Sequence, residues 1–212
     1  MSPRAPDNAT SPDRLRLLIL PALLLLLCGC GTTEFAATNP ALIEPGQRAL
    51  LLPLDETDAL RVATDLGVGG ITGAQGSGQV VARALSIALN ETEVYEMVPR
   101  EALYDEMHQR GLHMPELATI ANDQAFDIAR AAGAEVLILG EVRRCDTRWL
   151  LFIPKASVSF SVRAMHVPTR GVIWTGFFED GKTFGREREL IRKGAERLAE
   201  AVADAAFVPE AD

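Results

Sequence analysis

Two alternating apolar runs on either side of a four-residue turn constrain this chain more than any other feature. Residues 157–167 set Val158, Phe160, Val162 and Ala164 on one side, residues 172–178 alternate in the same way, and Pro168, Thr169, Arg170 and Gly171 lie between them. A period of two broken by turn formers predicts an antiparallel hairpin with one buried face. Helix-period patterns surround it. Residues 79–90 carry apolar side chains at 80, 81, 84, 85, 88 and 89, which predicts a helix with one buried stripe that Ser77 is placed to cap. Pro99 and Gly111 bracket a helix over 100–110, Gly133 ends another over 119–132, and 186–206 aligns Leu190, Ile191, Leu198, Val202 and Ala205. Apolar runs at 48–54, stopped by Pro53, and at 94–98 and 134–142 read as strands. The order β-α-β-α-α-β-β-β-α predicts an α/β fold: a mixed parallel/antiparallel sheet of about five strands with helices packed on it.

The first residues stand apart from this pattern. Arg4, Arg14 and Arg16 precede an apolar run at 17–28 broken only by Pro21. That run is too short to span a bilayer as a helix, which needs roughly 20 apolar residues. Leu27, Cys28, Gly29 and Cys30 follow in the manner of a bacterial lipobox, with small Gly29 before the scissile bond and Cys30 as the thiol that takes the lipid. An ordinary secretory site wants small residues at −1 and −3, and Leu27 spoils the second. Gly31, rather than Asp, after the cysteine points to the outer membrane. The organisation expected is a lipoprotein signal peptide at 1–29, a lipidated (diacylglyceryl and palmitate-type acyl) Cys30 with a flexible tether to 47, one α/β domain over 48–207 and a tail at 208–212. As a coil, the tether reaches only ~20–25 Å.

The 21 basic and 29 acidic side chains leave a net charge of −8, and −9 once the three Arg and two Asp of the leader are removed. Phosphate contact needs a basic face, so nucleic acid is a poor partner. Of the three cysteines, only Cys145 remains free in the mature chain, and no intramolecular disulfide can form.

Residues 55–78 read as a long loop holding Gly67, Gly69, Gly70, Gly73, Gly76 and Gly78. Loops of that length inside a domain are usually functional or mobile. The loop falls near the register of a phosphate-binding loop, but Gln79 and Val80 stand where Lys and Ser/Thr should be. A flexible loop feeding a helix amino terminus is the simpler reading, with a partner-contacting loop as the alternative. His108, His113 and His166 fall on separate elements and form no metal cluster, and carboxylates such as Asp105, Glu106, Glu179 and Asp180 are explained by surface solubility. No catalytic residue, metal ligand or cofactor site stands out, so no enzyme is expected. The most suggestive stretch is Trp149, Leu150, Leu151, Phe152 and Ile153, flanked by Arg148 and Lys155. Either the strand at 134–144 continues through it, buried, or it touches a membrane or a protein partner. Trp174, inside the hairpin, reads as core.

The runs ALLLPLD, VYEMVPREALYDEM, IARAAGAEVLILGEV and VSFSVRAMHVPTRGVIWTG, in that order, resemble a family of envelope lipoproteins with a domain similar to the amino-terminal domain of the translocation protein TolB. The group includes curli-secretion, penicillin-binding-protein activator and Pel polysaccharide export lipoproteins. The resemblance covers residues 48–204. It implies an α/β domain that binds envelope proteins, often as a homo-oligomeric ring, and carries no catalytic triad or cofactor. In the curli branch inserted segments form membrane-spanning hairpins, and nothing here is long enough to match them. The function expected is that of an outer-membrane, periplasm-facing accessory or assembly component of an export or secretion complex. A lipoprotein activator of a peptidoglycan synthase, or a glycan or small-ligand binding module, stand as alternatives.

Overall fold

Six strands form one mixed sheet in the order β1-β6-β5-β4-β2-β3 in the computed structural model, which describes residues 31–65, 74–150 and 153–207. Cys30, Gly67, Gly69, Gly70, Gly73, Leu151, Phe152 and the tail at 208–212 lie outside the described residues. Strand β2 (Gln47–Leu51) is parallel to both β3 (Tyr95–Met97) and β4 (Val136–Leu150), because helical crossovers separate each pair. Strands β4, β5 (Ile153–His166) and β6 (Val172–Thr183) follow one another in the chain and pair antiparallel. The predicted hairpin pairs in register, Phe160 opposite Phe178 and Val162 opposite Gly176.

Helices cover one face fully and the other in part. On the first face lie α2 (Ser77–Glu91) and α6 (Glu187–Phe207), whose Val81, Leu85, Leu89, Leu190, Leu198 and Val202 bury against Val158, Phe160, Trp174 and Phe178. Helix α6 comes close because it carries Gly194: a Cβ there would sit 2.6 Å from the Phe178 ring. Glycine inside a helix costs about 1 kcal/mol relative to alanine, which the closer packing of helix on sheet offsets. On the second face α3 (Arg100–Arg110), the short α4 (Met114–Leu117) and α5 (Asn122–Ala131) cover only the β2 and β4 end, where Leu103, Met107, Leu117 and Phe126 pack on Leu50, Leu52 and Leu137. Apart from Met165, which packs against that core, no helix among the described residues covers β5, β6 or the far half of β4 there.

Three expectations change. The segment expected as a tether carries strand β1 (Thr32–Ala37), paired antiparallel with β6, so the sheet has six strands rather than five and regular structure is present well before residue 48. Residues TTEFAA alternate weakly, but Phe35 lies 5.9 Å from Trp174, and the strand closes the edge that β6 would otherwise expose. The loop expected over 55–78 contains helix α1 (Thr57–Asp65). Asp55 Oδ1 accepts the Thr57 N–H (2.9 Å) and hydroxyl (2.6 Å), an aspartate start that the following glycines concealed. Strand β4 runs past 142 to Leu150 because a bulge between Val142 and Arg144 resets the alternation, which returns Cys145 to the covered face.

Candidate functional site

Glu56, immediately before α1, reaches across to the start of α2. Its Oε1 accepts the Gly76 N–H at 2.9 Å and its Oε2 the Gly78 N–H at 2.8 Å, with the Ser77 hydroxyl at 3.4 Å. Ser77 therefore does not cap this helix; a carboxylate from 20 residues away does, where the macrodipole favours negative charge. The donors that a phosphate would use in such a loop are occupied by the protein itself. Gly78 is needed for the approach, since a Cβ there would lie 2.0 Å from the Leu54 carbonyl oxygen. Of the six glycines read as contact candidates, Gly76 and Gly78 thus belong to this internal clip.

The β4–β5 hairpin projects beyond its neighbours. Trp149 pairs with Pro154 and Leu150 with Ile153, so the strand does continue into this stretch, but without burial at its end. Trp149 is 61 % exposed and Ile153 43 % exposed. Phe184, which the sequence reading did not single out, is 67 % exposed beside them, its N–H donating to the Pro154 carbonyl at 2.7 Å. Phe184 also holds a φ of 57°, a conformation rare for a bulky side chain. Three large apolar side chains therefore share one end of the sheet. Arg148 and Lys155 pair on the hairpin one residue away from Trp149 and Pro154, and Lys182, Arg186 and Arg188 flank Phe184 in the chain. Among the described residues, Arg148 pairs with Asp146 at 2.7 Å and Lys182 with Glu189 at 3.4 Å.

The bare part of the second face forms a groove of about 930 Å³ between β1 and the α4–α5 connection. Its floor is the row Glu34, Phe177, Ser161 and Glu141, one residue from each of four adjacent strands. Glu141 accepts from Arg143 Nε at 2.7 Å and from the Ser161 hydroxyl at 3.1 Å. The Arg143 guanidinium stands 5.7 Å over the Phe177 ring, and Arg163 donates to Asn122 Oδ1 at 3.3 Å. This mixed-charge, partly aromatic floor suits an extended polar chain better than a compact apolar ligand.

The remaining titratable groups are structural. Cys145 is buried, and burial, reinforced by Glu187, Asp146 and Glu56, pushes its thiol up to about 12, away from nucleophilic use. Burial raises the Asp146 carboxyl, yet the guanidiniums of Arg144 and Arg148 outweigh it and hold the group below the usual carboxylate range. Asp180, expected to serve surface solubility, is instead buried and accepts from Lys193 Nζ at 2.6 Å. Trp174 is fully buried and donates through Nε1 to the Tyr95 hydroxyl at 2.9 Å, and burial pushes that phenol up to about 12. His108 lies on α3, His113 opens α4, and His166 bonds Thr169 at 2.9 Å. Among the described residues no three His, Cys, Asp or Glu side chains come together to hold a metal, and no helix is long and apolar enough to cross a membrane.

No sequence-family model matches the chain, and no curated protein does. Its fold does have a counterpart among solved structures. The fold is similar to that of PelC. The subunit of the PelC dodecamer from Paraburkholderia phytofirmans superposes with a TM-score of 0.50 at 15 % identity, over 85 % of this chain and 100 % of that one. Looser likenesses join the lipoprotein GNA1162 from Neisseria meningitidis (TM-score 0.48, 13 % identity, 74 % of this chain and 99 % of that one) and the LpoB C-terminal domain from Salmonella enterica (0.37, 18 %, 65 % and 84 %). At such identities the likeness to PelC is one of fold. The resemblance drawn from the sequence holds at that level: an α/β domain with a mixed sheet and helices packed on it.

Proposed function

We propose that this chain is a lipid-anchored, periplasm-facing accessory or assembly component of a bacterial envelope complex, working in export or secretion through protein contacts rather than catalysis. The observation that carries the reading is the position of β1. Strand β1 begins at Thr32, two residues after the cysteine read as lipidated, so a lipid on Cys30 would hold the domain close to the membrane. That closeness supports assembly at a membrane over activation of a synthase some distance across the periplasm. The outer membrane is the address the Gly31 position favours. The bare strands β5 and β6 and the groove beside them are the surface offered to a partner or to further copies, and the similarity in fold to a protein that forms a dodecamer supports the second.

The same groove favours a second reading, a glycan-binding module, because its floor sets carboxylates, guanidiniums and one ring along an extended path. Full-length protein purified from envelopes separates the two. Mass spectrometry of its first residue should show acylated Cys30, and light scattering in detergent should show discrete higher oligomers or co-purifying envelope proteins. A monomer that co-purifies with nothing and binds polysaccharide saturably would replace assembly with the glycan reading. An unmodified leader would remove the anchor on which both localisation and role depend.

A further inference from the structure

The start of β1 and the exposed side chains of Trp149, Ile153 and Phe184 lie at the same end of the sheet. Gly31 packs against Asp180, where a Cβ on the glycine would come within 2.4 Å of the carboxyl carbon. Cys30 precedes Gly31 in the chain, so the row of Gly31 and Asp180 serves as the anchor row. Asp180 pairs with Val158 on β5, and four residues further along β5 Pro154 pairs with Trp149. At ~3.3 Å per residue the Trp149 row stands about 13 Å beyond the anchor row, on the side toward which β6 runs. The opposite end of the sheet carries the turn at 168–171 and faces away.

From this placement we infer that Trp149, Ile153 and Phe184 form a second membrane contact, entering the headgroup and acyl boundary of the leaflet that holds the Cys30 lipid. This deepens the proposed function and rests on its lipid anchor. Three features of the cluster select a phospholipid surface over a protein groove. Its reach of about 13 Å beyond the anchor row is enough to carry the hairpin end through the ~5–10 Å headgroup and acyl boundary that interfacial apolar groups occupy. Its chemistry is a tryptophan, a phenylalanine and an aliphatic residue, the makeup of an interfacial belt. Basic residues flank it in a chain whose net charge is −8, Arg148 (paired with Asp146) and Lys155 beside the hairpin end and Arg186 two residues after Phe184, and basic groups at the surface attract anionic headgroups. One acyl anchor leaves a domain free to swivel; a second contact fixes which end of the sheet faces the lipid and so turns the bare groove sideways, toward neighbouring proteins.

The test uses the full-length protein in vesicles of phosphatidylethanolamine and phosphatidylglycerol whose acyl chains carry bromine, which quenches tryptophan emission on near contact. The chain has two tryptophans, and Trp174 lies fully buried ten strand residues, about 33 Å, from Trp149 along the sheet, so it serves as an internal reference. The expected result is a blue shift and loss of the Trp149 share of the emission, with the Trp174 share intact, and disappearance of the quenching in W149F. Acylated protein whose emission ignores the brominated chains overturns the inference and leaves the anchor standing. Emission that ignores the lipid but changes with protein concentration also overturns it, in favour of a contact between copies. Should Cys30 prove unmodified, the anchor reading fails, and the same vesicles still decide the second contact: quenching that grows with the phosphatidylglycerol fraction supports it, and none refutes it.

Discussion

Removing the Glu56 carboxylate should weaken the join between α1, the glycine loop and α2 by a predictable amount. The side chain is half-buried and receives two backbone N–H groups at 2.9 and 2.8 Å from the first turn of a 15-residue helix. Loss of an N-terminal cap costs ~0.5–2 kcal/mol, and bonds to a charged acceptor sit at the upper end, so Glu56→Ala should cost about 2 kcal/mol. For a domain of this size that corresponds to a fall in Tm of about 4–8 °C. Glu56→Gln keeps the shape and one acceptor oxygen, and should lose about half as much, since the amide NH2 faces one of the two donors. Thermal melting followed by far-UV circular dichroism, with urea unfolding at one pH, gives both values. Amide exchange at Gly76 and Gly78 should quicken in both variants. If both variants stay within ~0.5 kcal/mol of the parent, water satisfies these donors equally well and the carboxylate is not what fixes the loop.

Gly78→Ala should be worse than Glu56→Ala, because its Cβ meets the Leu54 carbonyl at 2.0 Å and backbone on both sides must move; urea unfolding that ranks the two the other way would refute the close approach. Tyr95→Phe leaves the Trp174 indole N–H buried without an acceptor and should cost ~1–3 kcal/mol by urea unfolding, with unchanged far-UV dichroism. The folded pKa of Cys145, raised from 9.0 to about 12, means the native state keeps a proton that the unfolded chain gives up. Its contribution is therefore complete below pH 9 and is lost as the pH rises toward 12, so Cys145→Ala should flatten the alkaline fall in stability, leaving a part due to Tyr95. A native thiol that reacts readily with a disulfide reagent at pH 8 would contradict that burial.

The elements legible in the chain were those whose pattern is local. The hairpin around residues 168–171, α2, α3 and α6 follow from periodicity and turn residues, because burial of one face imposes a spacing of 2 or 3.6 on the residues themselves. Strand β1 escaped notice since TTEFAA is short and barely alternates; it becomes a strand only because β6 offers an open edge and Trp174 a surface for Phe35. Helix α1 was hidden among residues whose glycines read as loop, although Asp55 before Thr57 was a visible start signal.

The site divides along the same line. That residues 149–153 are large, apolar and flanked by cations is written in the sequence, as are the apolar run at 17–28 and Cys30, for these depend only on order along the chain. Whether such a stretch is core or surface depends on what lies opposite in space, and only the fold decided it: the hairpin outruns its neighbours, so Trp149 and Ile153 end without cover and Phe184 joins them from a different segment. The Glu56 clip and the groove floor have the same origin. Their members come from segments 20 or more residues apart, and no local spacing encodes a meeting that pairing between strands and packing of helices bring about.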